Sequence, residues 1–330
     1  MREIIVSKNE AGQRFDKFLL KYLNKAGSGF IYKMLRKKNI VLNDKKAAGS
    51  EKISEGDSVK LYLSEETIIS FIDSSYKIID SKKVNNKVSR IAMPEIVYED
   101  ENILLMNKPV GVLSQKSKPE DVSINDIAIN YLLDEGKITK EELHTFKPSI
   151  CNRLDRNTSG LIVFGKSLMG LQVMSELFKD RTLNKYYLAL VSGKVENSTK
   201  IDGYLMKDAS LNKVSVSKEE NGGDYIQTSY EPLQYFENMT LLKVHLITGK
   251  THQIRAHLAS INHPIVGDMK YGNDSINKEA YKNHKIGSQM LHSYCLEFPN
   301  MDNGLSYLSG KTFYASLPKR WPIKIKNSLS

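Results

Sequence analysis

Apolar spacing in this chain switches repeatedly between the 3.6-residue period of a helix and the two-residue alternation of a strand. The switching follows no regular strand–helix–strand rhythm. That irregularity argues against a doubly wound parallel sheet and predicts an α+β fold. Phe15, Phe18, Leu19, Tyr22 and Leu23 share one helix face, and Gly27-Ser28-Gly29 breaks it. A second helix buries Ile31, Met34 and Leu35, with Lys33, Arg36 and Lys37 on its opposite face. Ile40-Val41-Leu42 reads as a strand turned by Asn43-Asp44, and Ser58–Leu63 alternates as another. Residues 1–63 are therefore expected to form a small module, and the Ser-, Lys- and Asn-rich stretch 64–92 a linker. Residues 93–330 read as a larger mixed domain. It has a hairpin from Ile96–Tyr98 to Ile103–Lys108, helices capped by Ser123 and Ser167, a strand at Leu161–Phe164, strands at Lys185–Val191 and Thr240–Ile247, and a helix at Gln253–Ile261.

Charge narrows the function. Lys and Arg number 48 against 38 Asp and Glu, a net charge of +10. Residues 1–63 carry 14 basic and 7 acidic groups, and residues 151–330 carry 23 and 16, flanking an acidic stretch between them. This balance points to a polyanionic partner, although lysine-rich surfaces also serve solubility alone. No apolar run reaches the roughly 18 residues of a membrane span, and the first residues lack the apolar core of a secretion signal. Two cysteines, Cys151 and Cys295, make no disulfide framework, so a reducing, cytoplasmic setting is expected.

Three segments carry chemistry. In Asn152-Arg153-Leu154-Asp155-Arg156-Asn157-Thr158-Ser159-Gly160-Leu161, a carboxylate sits between two arginines in a polar turn before an apolar strand. Such a carboxylate stays ionised and suits a nucleophile or an electrostatic stabiliser. A structural Arg–Asp pair in a turn would look the same, and local chemistry alone favours it. In Lys185-Tyr186-Tyr187-Leu188-Ala189, alternation puts Lys185, Tyr187 and Ala189 on one face, so one tyrosine can line a site while both can equally be packed aromatics. In Thr248-Gly249-Lys250-Thr251-His252-Gln253-Ile254-Arg255, a strand ends, Thr251 can cap, and a helix begins. Arg255 in its first turns can meet a carboxylate. His252, His257, His263 and Asp268 match no compact metal motif, and Val244 stands where a phosphate loop needs its first glycine.

In this order, with Asn107-Lys108-Pro109-Val110-Gly111 ahead of them and the run continuing to Gly272, these segments resemble the RluA-type pseudouridine synthases. The resemblance covers residues 94–320. The first module resembles an S4 RNA-binding domain, with Arg14, Lys33, Arg36 and Lys37 as its expected RNA contacts. It implies a catalytic domain with a central mixed, largely antiparallel sheet and a cleft. By matched position it implies Asp155, Tyr187 and Arg255 as catalytic residues, and Arg153, Ile254, Asn107 and Lys108 as substrate-binding residues. Asn152 departs from the family's usual His, which touches RNA contact or loop geometry. The implied activity is isomerisation of uridines in RNA, with large-subunit ribosomal RNA as the expected partner, no cofactor and no metal, by a monomer. A binding protein without catalysis would leave Asp155 silent. A glycosidase or nuclease would need a second acidic partner, which the motif lacks.

Overall fold

The computed structural model describes residues 1–72, 93–208 and 213–322. Two compact units emerge. One holds Met1–Met93, Asp126–Ser149 and Gly165–Leu171, and the other holds Pro94–Asn125, Ile150–Phe164 and Gln172–Ser330.

In the first unit β1 (Arg2–Ile5), β2 (Ile40–Leu42), β3 (Lys45–Lys46) and β4 (Ser58–Leu61) form an antiparallel sheet ordered β1-β4-β2-β3. Asn43 and Asp44 both adopt the left-handed conformation, the two-residue turn that suits the twist of a hairpin. Helices α1 (Phe15–Tyr22) and α2 (Ser28–Arg36) bury Phe15, Phe18, Leu19, Tyr22, Ile31, Met34 and Leu35, the set expected from periodicity. Part of the stretch expected to be linker is structured: α3 (Glu65–Phe71) is capped by Ser64, whose hydroxyl accepts from the Thr67 amide, and buries Ile68 in this unit's core. Burial of one apolar face and a good cap outweigh the polar composition there. The remainder, 73–92, lies outside the described residues.

The boundary expected at residue 93 is also not a single cut. Most of α4 (Ile124–Asp134) belongs with the first unit.

The second unit is built on one eleven-stranded mixed sheet. Its strands are β5 (Glu95–Glu99), β6 (Ile103–Lys108), β7 (Ser149–Ile150), β8 (Ser159–Gly165), β9 (Asn184–Ser192), β10 (Thr199–Asp208), β11 (Lys213–Ser217), β12 (Asp224–Phe236), β13 (Met239–Leu246), β14 (Leu291–Glu297) and β15 (Thr312–Tyr314). The order is β11-β10-β12-β13-β9-β14-β8-β6-β5, with β15 on β14 and β7 on β8. Pairing of β14 with β8 is parallel, while β9 pairs antiparallel with both β13 and β14. The helices are α5 (Leu168–Lys179), whose first four residues belong with the first unit, α6 (Gln253–Ser260) and α7 (Asp274–His284). Residues 188–191 of β9 are fully buried, which places this strand at the centre of the core. Among the described residues no helix is long and apolar enough to cross a membrane.

Candidate active site

The loop before β8 is tied down from both ends. Asn152 accepts the Val163 amide at 2.8 Å and so curls the loop back over β8, a structural task at the departing position. The Ser114 hydroxyl brackets Leu154, donating to its carbonyl at 2.7 Å and accepting its amide at 3.0 Å. The Arg156 carbonyl accepts from the Gly111 amide at 2.8 Å and from Lys108 Nζ at 3.2 Å. Thr158 N donates to the Asp155 carbonyl, and Gln289 holds the Thr158 hydroxyl at 2.8 Å. Between these anchors the Asp155 carboxylate faces a cleft of about 910 Å³.

The partner of that carboxylate comes from 100 residues downstream, not from the neighbouring Arg153 and Arg156 between which it sits in sequence. Arg255, on the first turn of α6, donates from one terminal nitrogen to Asp155 Oδ2 at 2.7 Å. Its Nε and other terminal nitrogen clamp Asp268 at 2.6 and 2.9 Å. The Asp268 side chain is fully buried and also accepts the Lys270 and Tyr271 amides. Burial opposes charge on both members, but their mutual contact outweighs it, holding Arg255 above and Asp268 below their ordinary values. The Tyr271 ring lies under the guanidinium at 5.0 Å. Asp268 and Tyr271 were not singled out for this task from sequence. One signal was available: a buried guanidinium has five donors, and a single carboxylate cannot satisfy them.

Thr251 does not cap α6. The N-cap is His252, in the left-handed conformation at φ 58° and with no side-chain cap bond. The Gln253 side chain instead ties the preceding turn to the helix start, accepting the Lys250 amide at 3.1 Å and the Thr248 hydroxyl at 2.8 Å. This twist turns the His252 ring toward Asp155, with Nε2 3.9 Å from Oδ1. Ile254 is buried and lines the cleft.

From β9, Tyr187 and Lys185 face the cleft, whereas Tyr186 stacks on His245 at 4.7 Å on the other face. Burial, with Asp155 adding to it and a Ser293 hydrogen bond opposing it, pushes the Tyr187 phenol up to about 12. Burial pulls Lys185 down to about 8. Ser293, in β14, stands opposite Tyr187 in β9 and opposite Gly160 in β8. Gly160 has φ 108°, and a Cβ there would lie 2.2 Å from the Ser293 carbonyl oxygen.

Arg153 is exposed on the cleft wall. Two expected substrate contacts are not on that wall. Lys108 is fully buried, its Nζ donating to the carbonyls of Pro109, Val112 and Arg156, and burial pulls it down to about 7. Asn107 instead donates to Glu95 and to Ser316. An ammonium with three carbonyl partners braces a loop, and Lys108 therefore holds the Asp155 loop rather than facing the cleft. In the first unit Lys33, Arg36 and Lys37 are exposed, while Arg14 is engaged with Asp16 at 2.8 Å. Among the described residues no group of three or more His, Cys, Asp or Glu is placed to hold a metal.

The RNA pseudouridylate synthase family pattern matches residues 102–260. An uncharacterized RNA pseudouridine synthase of Mycoplasma capricolum is 30% identical over 316 residues, covering 94% of this chain and 96% of its own. A ribosomal large subunit pseudouridine synthase D of Borreliella burgdorferi is 34% identical over 288 residues, covering 84% and 81%. The solved structure of human RNA pseudouridylate synthase domain containing 4 shares the fold, with a TM-score of 0.53 at 22% identity, over 68% of this chain and 88% of that one.

Proposed function

Because this chain belongs to the RNA pseudouridylate synthases of the RluA type, we propose that the cleft around Asp155 is where it isomerises uridine, and that large-subunit ribosomal RNA is its substrate. The observation that carries the reading is the chain of ion pairs that runs from Asp155 on the cleft wall through Arg255 to the buried Asp268.

Pseudouridine formation breaks the N1–C1′ bond, turns the uracil, joins C5 to C1′ and releases the C5 proton. Asp155 acts at the sugar, either adding to C1′ as the base leaves or abstracting a sugar proton. Arg255 commits Oδ2, which leaves Oδ1 as the reacting oxygen. Tyr187 stays protonated at neutral pH, so it serves as a stacking and hydrogen-bonding surface for the uracil rather than as a phenolate base. Ile254 packs the other side of the base. A base in a helix must leave its stack to reach Asp155, at a cost of a few kcal/mol, and Arg153 fills the space it vacates. Lys33, Arg36 and Lys37 on α2 hold RNA phosphates.

The test is tritium release from C5-labelled, transcribed large-subunit ribosomal RNA. The wild type should release label, and Asp155→Asn should release none while still binding RNA. Undiminished release by Asp155→Asn would remove the aspartate from the chemistry. No release by the wild type, with release from another cellular RNA, would replace the substrate.

A further inference from the structure

His252 is a non-glycine residue held at a left-handed backbone position beside the reacting carboxylate, a strain that persists only where the surroundings dictate it. Its ring is oriented by Tyr271, whose hydroxyl lies 3.0 Å from Nδ1. The same hydroxyl oxygen accepts the Val214 amide at 3.0 Å. A phenol has one proton, and giving it to His252 Nδ1 while accepting from Val214 uses both of its hydrogen-bonding roles. Nδ1 is then an acceptor, and a neutral ring carries its proton on Nε2. The groups facing the ring are Asp155 from the loop, Arg255 on its own helix, and Asp268, Lys270 and Tyr271 from the following turn. Burial keeps the imidazole below its ordinary value against the pull of Asp155, and Arg255 and Lys270 act in the same direction as burial.

An N–H donor and a carboxylate acceptor therefore face each other at 3.9 Å, too far for a direct hydrogen bond. A group seated between them at hydrogen-bond distance from both must accept from one and donate to the other. A hydroxyl does this, and a carbonyl or an ammonium does not. Asp155 works at C1′, and the hydroxyl nearest to C1′ on a ribonucleotide is the 2′-OH. We propose that His252 Nε2–H and Asp155 Oδ1 bridge the 2′-hydroxyl of the target nucleotide, which makes His252 the residue that distinguishes ribose from deoxyribose in this site. The proposal rests on Asp155 acting at the sugar. Tyr271 is the positioning residue that fixes the tautomer.

The target is first mapped on transcribed large-subunit ribosomal RNA. A synthetic stem-loop of that sequence is then made with uridine or 2′-deoxyuridine at the target. Single-turnover rates are measured on both with wild type, His252→Ala, His252→Gln, Tyr271→Phe and Asp155→Asn. The loss of one hydrogen bond slows His252→Ala about tenfold on the uridine substrate. On the deoxyuridine substrate, where the bridge is already gone, the same change adds little. His252→Gln, which places an amide N–H near the Nε2 position, recovers most of the rate on uridine alone. Nitrogen-15 spectra of labelled histidine should show Nδ1 bare and Nε2 protonated, with that preference lost in Tyr271→Phe. Equal slowing of His252→Ala on both sugars, or a protonated Nδ1, overturns the bridge. Full activity of Asp155→Asn overturns the reading beneath it instead.

Discussion

At the scale of single residues, the site is governed by how a buried guanidinium is satisfied. Arg255 spends two of its donors on Asp268 and one on Asp155, so the fully buried aspartate sets the angle at which the reacting one is held. Asp268→Asn keeps the shape and removes the charge. It should cost about 3–5 kcal/mol of stability, because a buried cation loses half its compensation, and it should lower turnover more than RNA affinity. Denaturant unfolding and single-turnover rates measure the two effects. The pH dependence has a definite sign. Arg255 holds Asp268 below its unfolded value near 4. The stabilisation is therefore complete above that pH and is lost as acid titrates Asp268 in the folded state. The wild type should lose stability on acidification through this range, and Asp268→Asn should lose less. An equal loss in both would put the acid sensitivity elsewhere.

At the scale of elements, β8, β14 and β9 lock together through Gly160, Ser293 and Tyr187. No side chain fits at Gly160, since its φ is 108° and the Ser293 carbonyl occupies the space. Gly160→Ala should cost at least about 3 kcal/mol, and by moving Ser293 it should also disturb Tyr187. Thermal unfolding gives the first effect and the titration of the phenol the second. A variant as stable as wild type would contradict the close approach. The same elements show what periodicity makes legible. Helices α1, α2, α4, α5 and α6 and strands β6, β8, β9 and β13 carry strong apolar patterns and lie within a few residues of their expected places. The long strands β10 and β12 went unread, because β12 alternates weakly, is interrupted by a bulge after Pro232 and exposes many polar residues. α3 was hidden by its polar surroundings despite its Ser64 cap. In the site, Asp155, Tyr187, Arg255, Arg153 and Ile254 come together on the cleft from matched motifs. Lys108 does not, since a motif records that a lysine is required without recording that it faces inward. Asp268 is legible only once Arg255 is known to be buried.

At the scale of the whole molecule, a charge of +10 makes RNA binding a contest with salt. Affinity should fall steeply with ionic strength, with a log–log slope of about −0.7 to −0.9 per phosphate neutralised. Replacing Lys33, Arg36 and Lys37 together by Ala should weaken binding and flatten that slope. Filter binding across a salt series tests this, and an unchanged slope would take α2 out of the RNA contacts. The sheet order carries another consequence. Strand β14 lies between β9 and β8, yet it is made more than a hundred residues after β8 and about a hundred after β9. While the chain is being synthesised, the two halves of the sheet wait with open edges, and neither Ser293 nor Gln289 has left the ribosome. Folding of this unit is thus held back until late in translation. Nascent chains stalled before β14 should be inert, readily cut by protease and inclined to pair with one another, and they should become resistant only once that strand has emerged.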